Sequence, residues 1–395
     1  MTENTVLYDP QNFLRMDGID DLERLTPEPN PFWNRRRFEV TWALADMAGL
    51  TRQNGIKLEP MRMADREEIA IFHDSSYIET VELFGNTGVA FSSRFGLDTD
   101  DCPVFQDMHK YAAYPVGTTI DAVLDVSEGG FRNAVSFYGG LHHAMESRAA
   151  GFCYYNDCAV SIKMYRQMFP KKKVLYIDTD VHHGDGTQNA FYLDPNVLTI
   201  SLHEYSMGFF PQTGRAEEIG AGPGKGYAVN LPLPPLTDDV EYWRAFEDVV
   251  IPLWQSYKPD LVFWEVGADA HIGDPLADMM LTYDTYYRLG KTIRELVYNG
   301  KRQLVAVGGG GYNPVSTAKV WSIILSEIAG VSLPAILPPE WVELCKSNGL
   351  EINRSGWTDR PTRMDEEHHS KIRRAVDETI DKVKEKVFPI HGIAR

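Results

Sequence analysis

Short apolar segments that end in glycine turns constrain the fold of this chain more than any other feature. They are rich in β-branched and aromatic residues, which is typical of strands buried on both faces, and they cover residues 133–138, 174–177, 260–266 and 303–307. Glycine and a histidine, aspartate or tyrosine follow each segment closely. Parallel strands present their carboxyl ends at one edge of a sheet, where α/β proteins bind ligands. The pattern therefore predicts an α/β fold with a central, mostly parallel sheet flanked by helices.

The segment after residue 177 carries acidic residues and histidines at alternating positions. On a continuing strand, Asp178, Asp180 and His182 would project to the same side. A buried ion-pair network, or an acidic strand end in water, would also accommodate them. However, buried carboxylates need a cationic partner, and no lysine or arginine is interleaved here. Ligation of a metal ion therefore explains these residue types better.

A third ligand is expected from another strand end. Asp269 is the best candidate, because it is the first polar residue after the strand at 260–266 and the glycine that follows. His271 is its competitor, and the sequence does not exclude it. Three protein ligands would leave one position of a tetrahedral ion open, as in catalytic sites, and a water bound there would become acidic enough to act as a nucleophile.

Adjacent histidines that follow two glycines are poorly explained as core residues. His142 and His143 are candidates for general base and general acid, since an imidazole titrates near neutral pH. Asp178 and Asp185 are acidic residues that could orient the two imidazoles. Tyr312 follows four glycines and is a candidate donor to the oxyanion of a hydrolytic intermediate.

Composition limits the class of protein. With 395 residues, of which 43% are hydrophobic, the chain can bury a large core, and we expect a single domain over 1–395 with an amphipathic helix at about 364–388. A net charge of -17 argues against broad nucleic-acid binding and suits a cationic partner such as a lysine-rich protein segment. Four scattered cysteines, with neither a leader sequence nor an apolar run of membrane-spanning length, favour a cytoplasmic protein.

Together these motifs resemble the successive signatures of the zinc-dependent histone deacetylase superfamily. The matching segments are Leu-His-His at 141–143, Gly-Phe-Cys at 151–153, Asp-Thr-Asp-Val-His-His-Gly-Asp-Gly at 178–186, Gly-Ala-Asp at 267–269 and Gly-Gly-Gly-Gly-Tyr at 308–312. The likeness runs from about Asp98 to Ala329. Five motifs in the same order make it specific.

The resemblance implies a three-layer arginase-deacetylase fold and hydrolysis of the amide of an acylated lysine or a similar amine. It implies Zn²⁺ as the metal, although two aspartates and one histidine accept Fe²⁺ or Co²⁺ nearly as well. It also implies structural K⁺ or Na⁺. By this resemblance the metal ligands are Asp180, His182 and Asp269; the catalytic residues are His142, His143 and Tyr312, supported by Asp178 and Asp185; the substrate-binding residues are Asp101, Gly151, Phe152, Phe210, Leu276 and Gly310; and the monovalent-cation ligands are Asp178, Asp180, His182, Ser201 and Leu202 at one site, and Phe191, Asp194, Val197 and Tyr227 at the other.

Departures from the family pattern bear on the substrate. The loop at 269–276 is closer to prokaryotic acetoin-utilisation-type deacetylases, and Leu276 stands where relatives that prefer polyamines carry an acidic residue. We therefore expect an acylated protein or peptide as substrate, without a nucleic-acid or membrane partner. The loop with Phe32 and Trp33 is expected to narrow the mouth of the channel. The alternatives are a deacetylase of an acetylpolyamine and a non-catalytic acyl-lysine binding protein. An arginase-like binuclear hydrolase fits less well, and the oligomeric state stays open.

Overall fold

One parallel sheet organises the protein. The computed structural model describes residues 5–16, 35–90, 93–352, 356–359 and 365–394. The strands in these ranges are β1 Thr5–Asp9, β2 Ile56–Pro60, β3 Asn133–Ser136, β4 Val174–Asp178, β5 Val197–Glu204, β6 Ala228–Leu233, β7 Leu261–Glu265 and β8 Gln303–Val307. They form one sheet in the order β2-β1-β3-β8-β7-β4-β5-β6, and every neighbouring pair is parallel. The predicted α/β class is confirmed.

The central strands are buried along their whole length, as their apolar sequences predict. Every residue of β3, β4 and β7 is buried. The indole of Trp264 on β7 donates a 3.0 Å hydrogen bond to the hydroxyl of Thr179, just after β4. One prediction is wrong: β4 ends at Asp178, so strand alternation does not extend to Asp180 and His182. Those two residues lie in the turn that follows, where the backbone can direct them independently of the sheet.

Helices cover both faces of the sheet. One group of helices contacts β3 through the helix Pro314–Ala329. A second group contacts β3 through the helix Met108–Ser127. The first group consists of Arg35–Met47, Tyr283–Asn299, Pro314–Ala329 and Pro339–Ser347, and the second of Ser75–Thr87, Met108–Ser127 and Asp157–Met168. The other described α-helices are Gln11–Leu14, Arg66–Ile69, Asp185–Phe191, Asp239–Ala245, Ile251–Tyr257 and Glu366–Lys386, and a π-helical turn covers Phe246–Val250.

The amphipathic helix expected near the carboxyl terminus is present as Glu366–Lys386 and packs against β6. Its apolar stripe is buried, and the hydroxyl of Thr379 donates a 2.9 Å hydrogen bond to the carbonyl of Pro232 on β6. None of the described helices combines the length and the apolar composition needed to cross a bilayer. The loop with Phe32 and Trp33 lies outside the described residues, so its effect on the channel stays a prediction.

Candidate active site

Three predicted metal ligands converge at the carboxyl edge of the sheet. Asp180 and His182 follow β4, Asp269 follows β7, and all three side chains are buried. The Nδ1 atom of His182 lies 3.3 Å from Oδ1 of Asp180 and 3.1 Å from Oδ2 of Asp269. One donor atom from each residue lies within 4.8 Å of the others. His271 points elsewhere, with its Nε2 2.9 Å from a carboxylate oxygen of Asp359, so Asp269 is the candidate that reaches this group.

Backbone amides hold the two carboxylates in place. The amide of Gly310 donates a 2.6 Å hydrogen bond to Oδ2 of Asp180, and the amide of Val181 donates a 2.9 Å bond to Oδ1 of Asp269. A Cβ atom on Gly310 would lie 1.9 Å from Oδ2 of Asp269. Glycine is therefore required for β8 and its turn to approach the aspartates this closely.

The charges of this group fit a divalent cation. Burial and the nearby charge of Asp180 raise the pKa of Asp269 to about 7. Burial opposes a charge on His182, but hydrogen bonds to Asp180 and Asp269 outweigh it and raise the pKa of His182 to about 10. Two buried carboxylates thus draw a proton onto the imidazole between them. Zn²⁺ takes oxygen and nitrogen ligands of these types and competes with such a proton, so the residues present fit the metal.

A pair of histidines lies beside this group, and each imidazole contacts the carboxylate of a different aspartate. Nδ1 of His142 lies 2.9 Å from Oδ2 of Asp178, and Nδ1 of His143 lies 2.9 Å from Oδ1 of Asp185. The two Nε2 atoms are 3.0 Å apart. The structure therefore brings together the two predicted imidazole–carboxylate pairs.

The two histidines differ in electrostatic surroundings. Burial, and then the neighbouring charge of His142, lower the pKa of His143 to about 4. Burial also acts against a charge on His142, but the neighbouring acidic residues Glu265, Asp178 and Asp180 outweigh it and raise the pKa of His142 well above its usual value. Near neutral pH, His143 is therefore unprotonated while His142 keeps its proton, a division that lets one imidazole accept a proton beside a charged neighbour.

Glu265, the last residue of β7, is a member of this cluster that the sequence analysis missed. Its Oε1 lies 2.9 Å from Nδ1 of His142, Tyr176 donates a hydrogen bond to Oε2, and the Sγ of Cys158 lies 3.3 Å from Oε2. Burial raises the pKa of Glu265 to about 8. His142, Asp180 and Glu265 also lie close enough to be a possible metal-binding group. A single glutamate in an apolar segment predicted to be buried on both faces was the signal that could have identified it.

Tyr312 closes the site on the side of β8. Its amide donates a 2.6 Å hydrogen bond to Oδ2 of Asp274, and its ring centroid lies 6.3 Å from that of His182. Burial raises the pKa of Tyr312, so its hydroxyl keeps the proton that a donor needs. Arg37, also missed from sequence, is buried behind this turn and donates a 2.6 Å hydrogen bond to the carbonyl of Gly309.

Aromatic side chains surround the histidines. The Phe210 ring lies 4.9 Å from the His143 ring, and the Phe152 ring lies 5.9 Å from the Tyr312 ring. Phe209 stacks on His182 with ring centroids 5.0 Å apart.

Gly151 links this aromatic group to the rim. A Cβ atom on Gly151 would lie 2.5 Å from the His143 ring and 2.8 Å from Phe210. The amide of Gly151 donates a 3.0 Å hydrogen bond to Oδ2 of Asp101. Leu276 is 39% exposed, and its amide donates a 3.0 Å bond to Asp274. The hydrogen bond from Gly151 links Asp101 to the backbone beside His143.

The first set of residues expected to bind a monovalent cation lies on β4, in the turn after it and on β5. The second set lies at the end of the helix Asp185–Phe191, at the start of β5 with the residues before it, and just before β6. Asp178 and Ser201 are register partners on β4 and β5. In the second set, the amide of Asp194 donates to the carbonyl of Phe191 at 2.9 Å, and the amide of Thr199 donates to the carbonyl of Tyr227 at 2.9 Å. The ions themselves stay a prediction.

Comparisons with known proteins identify the family. Residues 31–328 match the model of the histone deacetylase domain. The chain is 38% identical to the acetoin utilization protein AcuC of Bacillus subtilis, over 75% of this chain and 78% of that protein. It is 33% identical to histone deacetylase 8 of Xenopus tropicalis, over 86% of this chain and 90% of that protein.

Solved structures agree with these sequence relatives. An HDAC homologue in complex with SAHA superposes with a TM-score of 0.82 at 29% identity, over 97% of this chain and all (100%) of that one. An HDAC homologue from Aquifex aeolicus gives a TM-score of 0.81 at 28% identity, over 96% and 100% of the two chains. The predicted arginase-deacetylase fold is thus confirmed, and the chain belongs to the histone deacetylase family of amide hydrolases.

Proposed function

We propose that the protein is a metal-dependent deacylase that removes acetyl or other short acyl groups from lysine side chains of proteins. The observation that carries this proposal is the convergence of Asp180, His182 and Asp269 beside the imidazole of His143 and the ring of Tyr312. Amide hydrolysis needs a nucleophile, a base, an acid and an oxyanion donor within reach of one carbon atom. These residues offer that set.

Asp180, His182 and Asp269 would hold the ion, which we propose to be Zn²⁺, with Fe²⁺ or Co²⁺ as alternatives. Bound there, such an ion supplies an acidified water molecule and polarises the substrate carbonyl. Structural K⁺ or Na⁺ bound by the two predicted sets of residues at and near β4 and β5 belongs to the same proposal.

The other residues have complementary tasks. Unprotonated His143 accepts the proton of the attacking water at Nε2, and Asp185 keeps its imidazole in position through Nδ1. The charge on His142, retained by Asp178, stabilises the negative charge that develops during attack. Tyr312 donates its hydroxyl to the carbonyl oxygen. His143 then returns its proton to the leaving amine.

The surroundings of the site support acyl-lysine as the substrate. Phe152 and Phe210 offer apolar surfaces on which an aliphatic lysine side chain can lie, with Gly151 beneath them. Asp101 can accept hydrogen bonds from the amides of a peptide backbone. At the mouth, Leu276 offers no charge to a polyamine ammonium group, which favours acyl-lysine over an acylpolyamine. The net charge of -17 suits a lysine-rich protein partner.

A substrate panel with metal analysis of the same preparation tests the proposal. We expect acetyl-lysine peptides to be hydrolysed with a higher kcat/KM than acetylspermidine, and activity to be lost with a chelator and restored by Zn²⁺, Fe²⁺ or Co²⁺. Faster turnover of acetylspermidine would favour the small-molecule alternative. Saturable binding of acetyl-lysine peptides without turnover, in protein that carries the metal, would identify a binding protein instead.

A further inference from the structure

A cavity lies at the opposite edge of the sheet from the candidate active site. Its volume is about 520 Å³, and it opens where β4, β7 and β8 begin. Val174, Leu261 and Gln303 are register partners at the start of these strands. The strands have five residues each and span about 16 Å, so the cavity is separate from the catalytic cluster. Its volume is within the range of small-molecule sites.

The cavity is basic in a protein that is strongly acidic overall. Its charged lining residues are four cations and one carboxylate: Lys172, Lys258, Lys301, Arg302 and Asp260. The protein as a whole carries 56 acidic residues against 39 lysines and arginines. A concentration of positive charge in a concave surface attracts anions more strongly than the same charges dispersed over a flat surface.

The charge of Asp260, the one carboxylate in the lining of the cavity, is balanced by Lys172. Oδ1 of Asp260 accepts a 2.7 Å hydrogen bond from Nζ of Lys172, and Oδ2 accepts a 2.9 Å bond from the amide of Lys173. Across the described residues, none of Lys258, Lys301 and Arg302 has a carboxylate within ion-pair distance, although Nε of Arg302 donates a 2.7 Å bond to the carbonyl of Pro259. Three positive charges thus face one cavity without a counter-charge from the part of the chain that the structure describes.

Helix capping explains only part of this arrangement. Lys258 follows the helix Ile251–Tyr257 and Lys301 follows the helix Tyr283–Asn299, both with φ of 53°. A cation at a helix carboxyl terminus is favourable, but glycine or asparagine suits the left-handed conformation better than lysine. Capping does not account for Arg302, nor for the meeting of two such ends at one cavity.

We infer that this amino-edge cavity binds an anion with several phosphate charges, namely a phosphoanhydride chain, either free or as part of a nucleotide. Lysine supplies compact positive charges for phosphate oxygens, and arginine supplies a planar set of donors that matches them. Three cations match a chain of two or three phosphates, whereas a single carboxylate or orthophosphate would engage only part of the set. The inference is independent of the deacylase reaction.

Calorimetric titration of the full chain with tripolyphosphate, ATP and orthophosphate tests it. We expect saturable binding of tripolyphosphate or ATP, with orthophosphate at least about tenfold weaker because it makes fewer charged contacts. Affinity should fall as salt increases. Equal affinity for tripolyphosphate and ATP would assign the site to the phosphate chain, and tighter ATP binding would assign it to nucleotides. No saturable binding of either at low millimolar concentration would overturn the inference.

Removing the charges locates the site. Lys258→Asn and Lys301→Asn keep a residue that accepts positive φ, and each should weaken binding by about tenfold. The matched control is Lys386→Asn at the end of the helix Glu366–Lys386, which should leave the affinity unchanged. Equal weakening by all three variants, or by none, would mean that the anion binds elsewhere. Far-ultraviolet circular dichroism and thermal unfolding without anion verify that each variant is folded.

Discussion

The two edges of the sheet use charge in opposite ways. At the carboxyl edge, carboxylates and imidazoles are buried and pair with one another within about the length of a hydrogen bond, as Asp178 does with His142. At the amino edge, Lys258 and Lys301 are exposed beside a cavity and have no carboxylate partner among the described residues. Buried charges are strongly coupled, whereas exposed charges are screened by water and salt.

The two edges should therefore respond differently to substitution of their charged residues. Removing one charge from a buried network leaves its partner uncompensated, which costs several times more than removing an exposed charge. Substitutions at the carboxyl edge should therefore affect metal content and catalysis severely. Substitutions at the amino edge should affect little besides the binding of an anion.

The largest effect is expected for the metal group. Asp269→Asn removes one ligand charge while keeping the shape of the side chain, so we expect bound metal to be lost and kcat/KM for an acetyl-lysine peptide to fall by more than about a thousandfold. Metal content by mass spectrometry and peptide turnover measure this. Asp260→Asn, its counterpart at the amino edge, should retain the metal. Wild-type metal content in the Asp269→Asn variant would exclude this residue as a ligand.

Tyr312→Phe comes next. Loss of one oxyanion donor typically reduces kcat by about two orders of magnitude, and the variant should still bind the metal because the hydroxyl is not among the proposed ligands. Steady-state kinetics with metal analysis separate the two properties. Tyr192→Phe, after the helix Asp185–Phe191 and ahead of β5, is a control for loss of a tyrosine hydroxyl. Wild-type kcat in the Tyr312 variant would remove the residue from its proposed role.

Sequence patterns located the carboxyl-edge residues that follow glycine turns. Asp180 and His182 were selected because acidic residues and a histidine alternate after a buried segment, and Asp269 because it is the first polar residue after a strand and a glycine. Glu265 could have been selected as a charged residue in a segment predicted to be buried. Its contact with His142 could not be predicted, because that contact depends on the register of β7 beside β4, which a single sequence does not specify.

Other features also depended on tertiary placement. Arg37 reaches Gly309 across 272 positions of the chain, and no local pattern connects them. The sequence also did not predict that Asp180 and His182 lie beyond the strand, because β4 ends at Asp178 and both residues are in the turn that follows. The amino edge escaped prediction for the same reason: Lys258, Lys301 and Arg302 are ordinary surface residues until the parallel sheet brings their loops together.

A smaller, pH-dependent effect is expected from Glu265→Gln. Burial raises the pKa of Glu265 to about 8, so the carboxyl is mainly protonated at pH 7 and ionises as the pH rises through 8. Glutamine resembles the protonated form, and kcat/KM at pH 7 should therefore stay within about threefold of wild type, below the roughly 10–100-fold losses that are typical when a residue that orients a metal ligand is removed.

Above pH 8, kcat/KM of the wild type and kcat/KM of the Glu265→Gln variant should differ. In the wild type, ionised Glu265 places a negative charge 2.9 Å from Nδ1 of His142, so the imidazole holds its proton more firmly. Glutamine cannot ionise and has no such effect. The pH profile of kcat/KM from pH 6 to 9.5 measures this difference. Parallel profiles over that range would show that Glu265 does not ionise in the functional protein.

The smallest effect is expected at the amino edge. Lys258→Asn and Lys301→Asn each remove a cation from a helix end but introduce a residue that tolerates φ of 53°, so the free energy of unfolding should change by about 0.5 kcal/mol or less. Urea denaturation without added anion measures it. A loss above about 2 kcal/mol would mean that these lysines hold the fold together as the buried charges do, and the contrast between the two edges would fail. A small change in the free energy of unfolding, combined with weaker binding of tripolyphosphate, would mean that these lysines bind a ligand and are not needed for the fold.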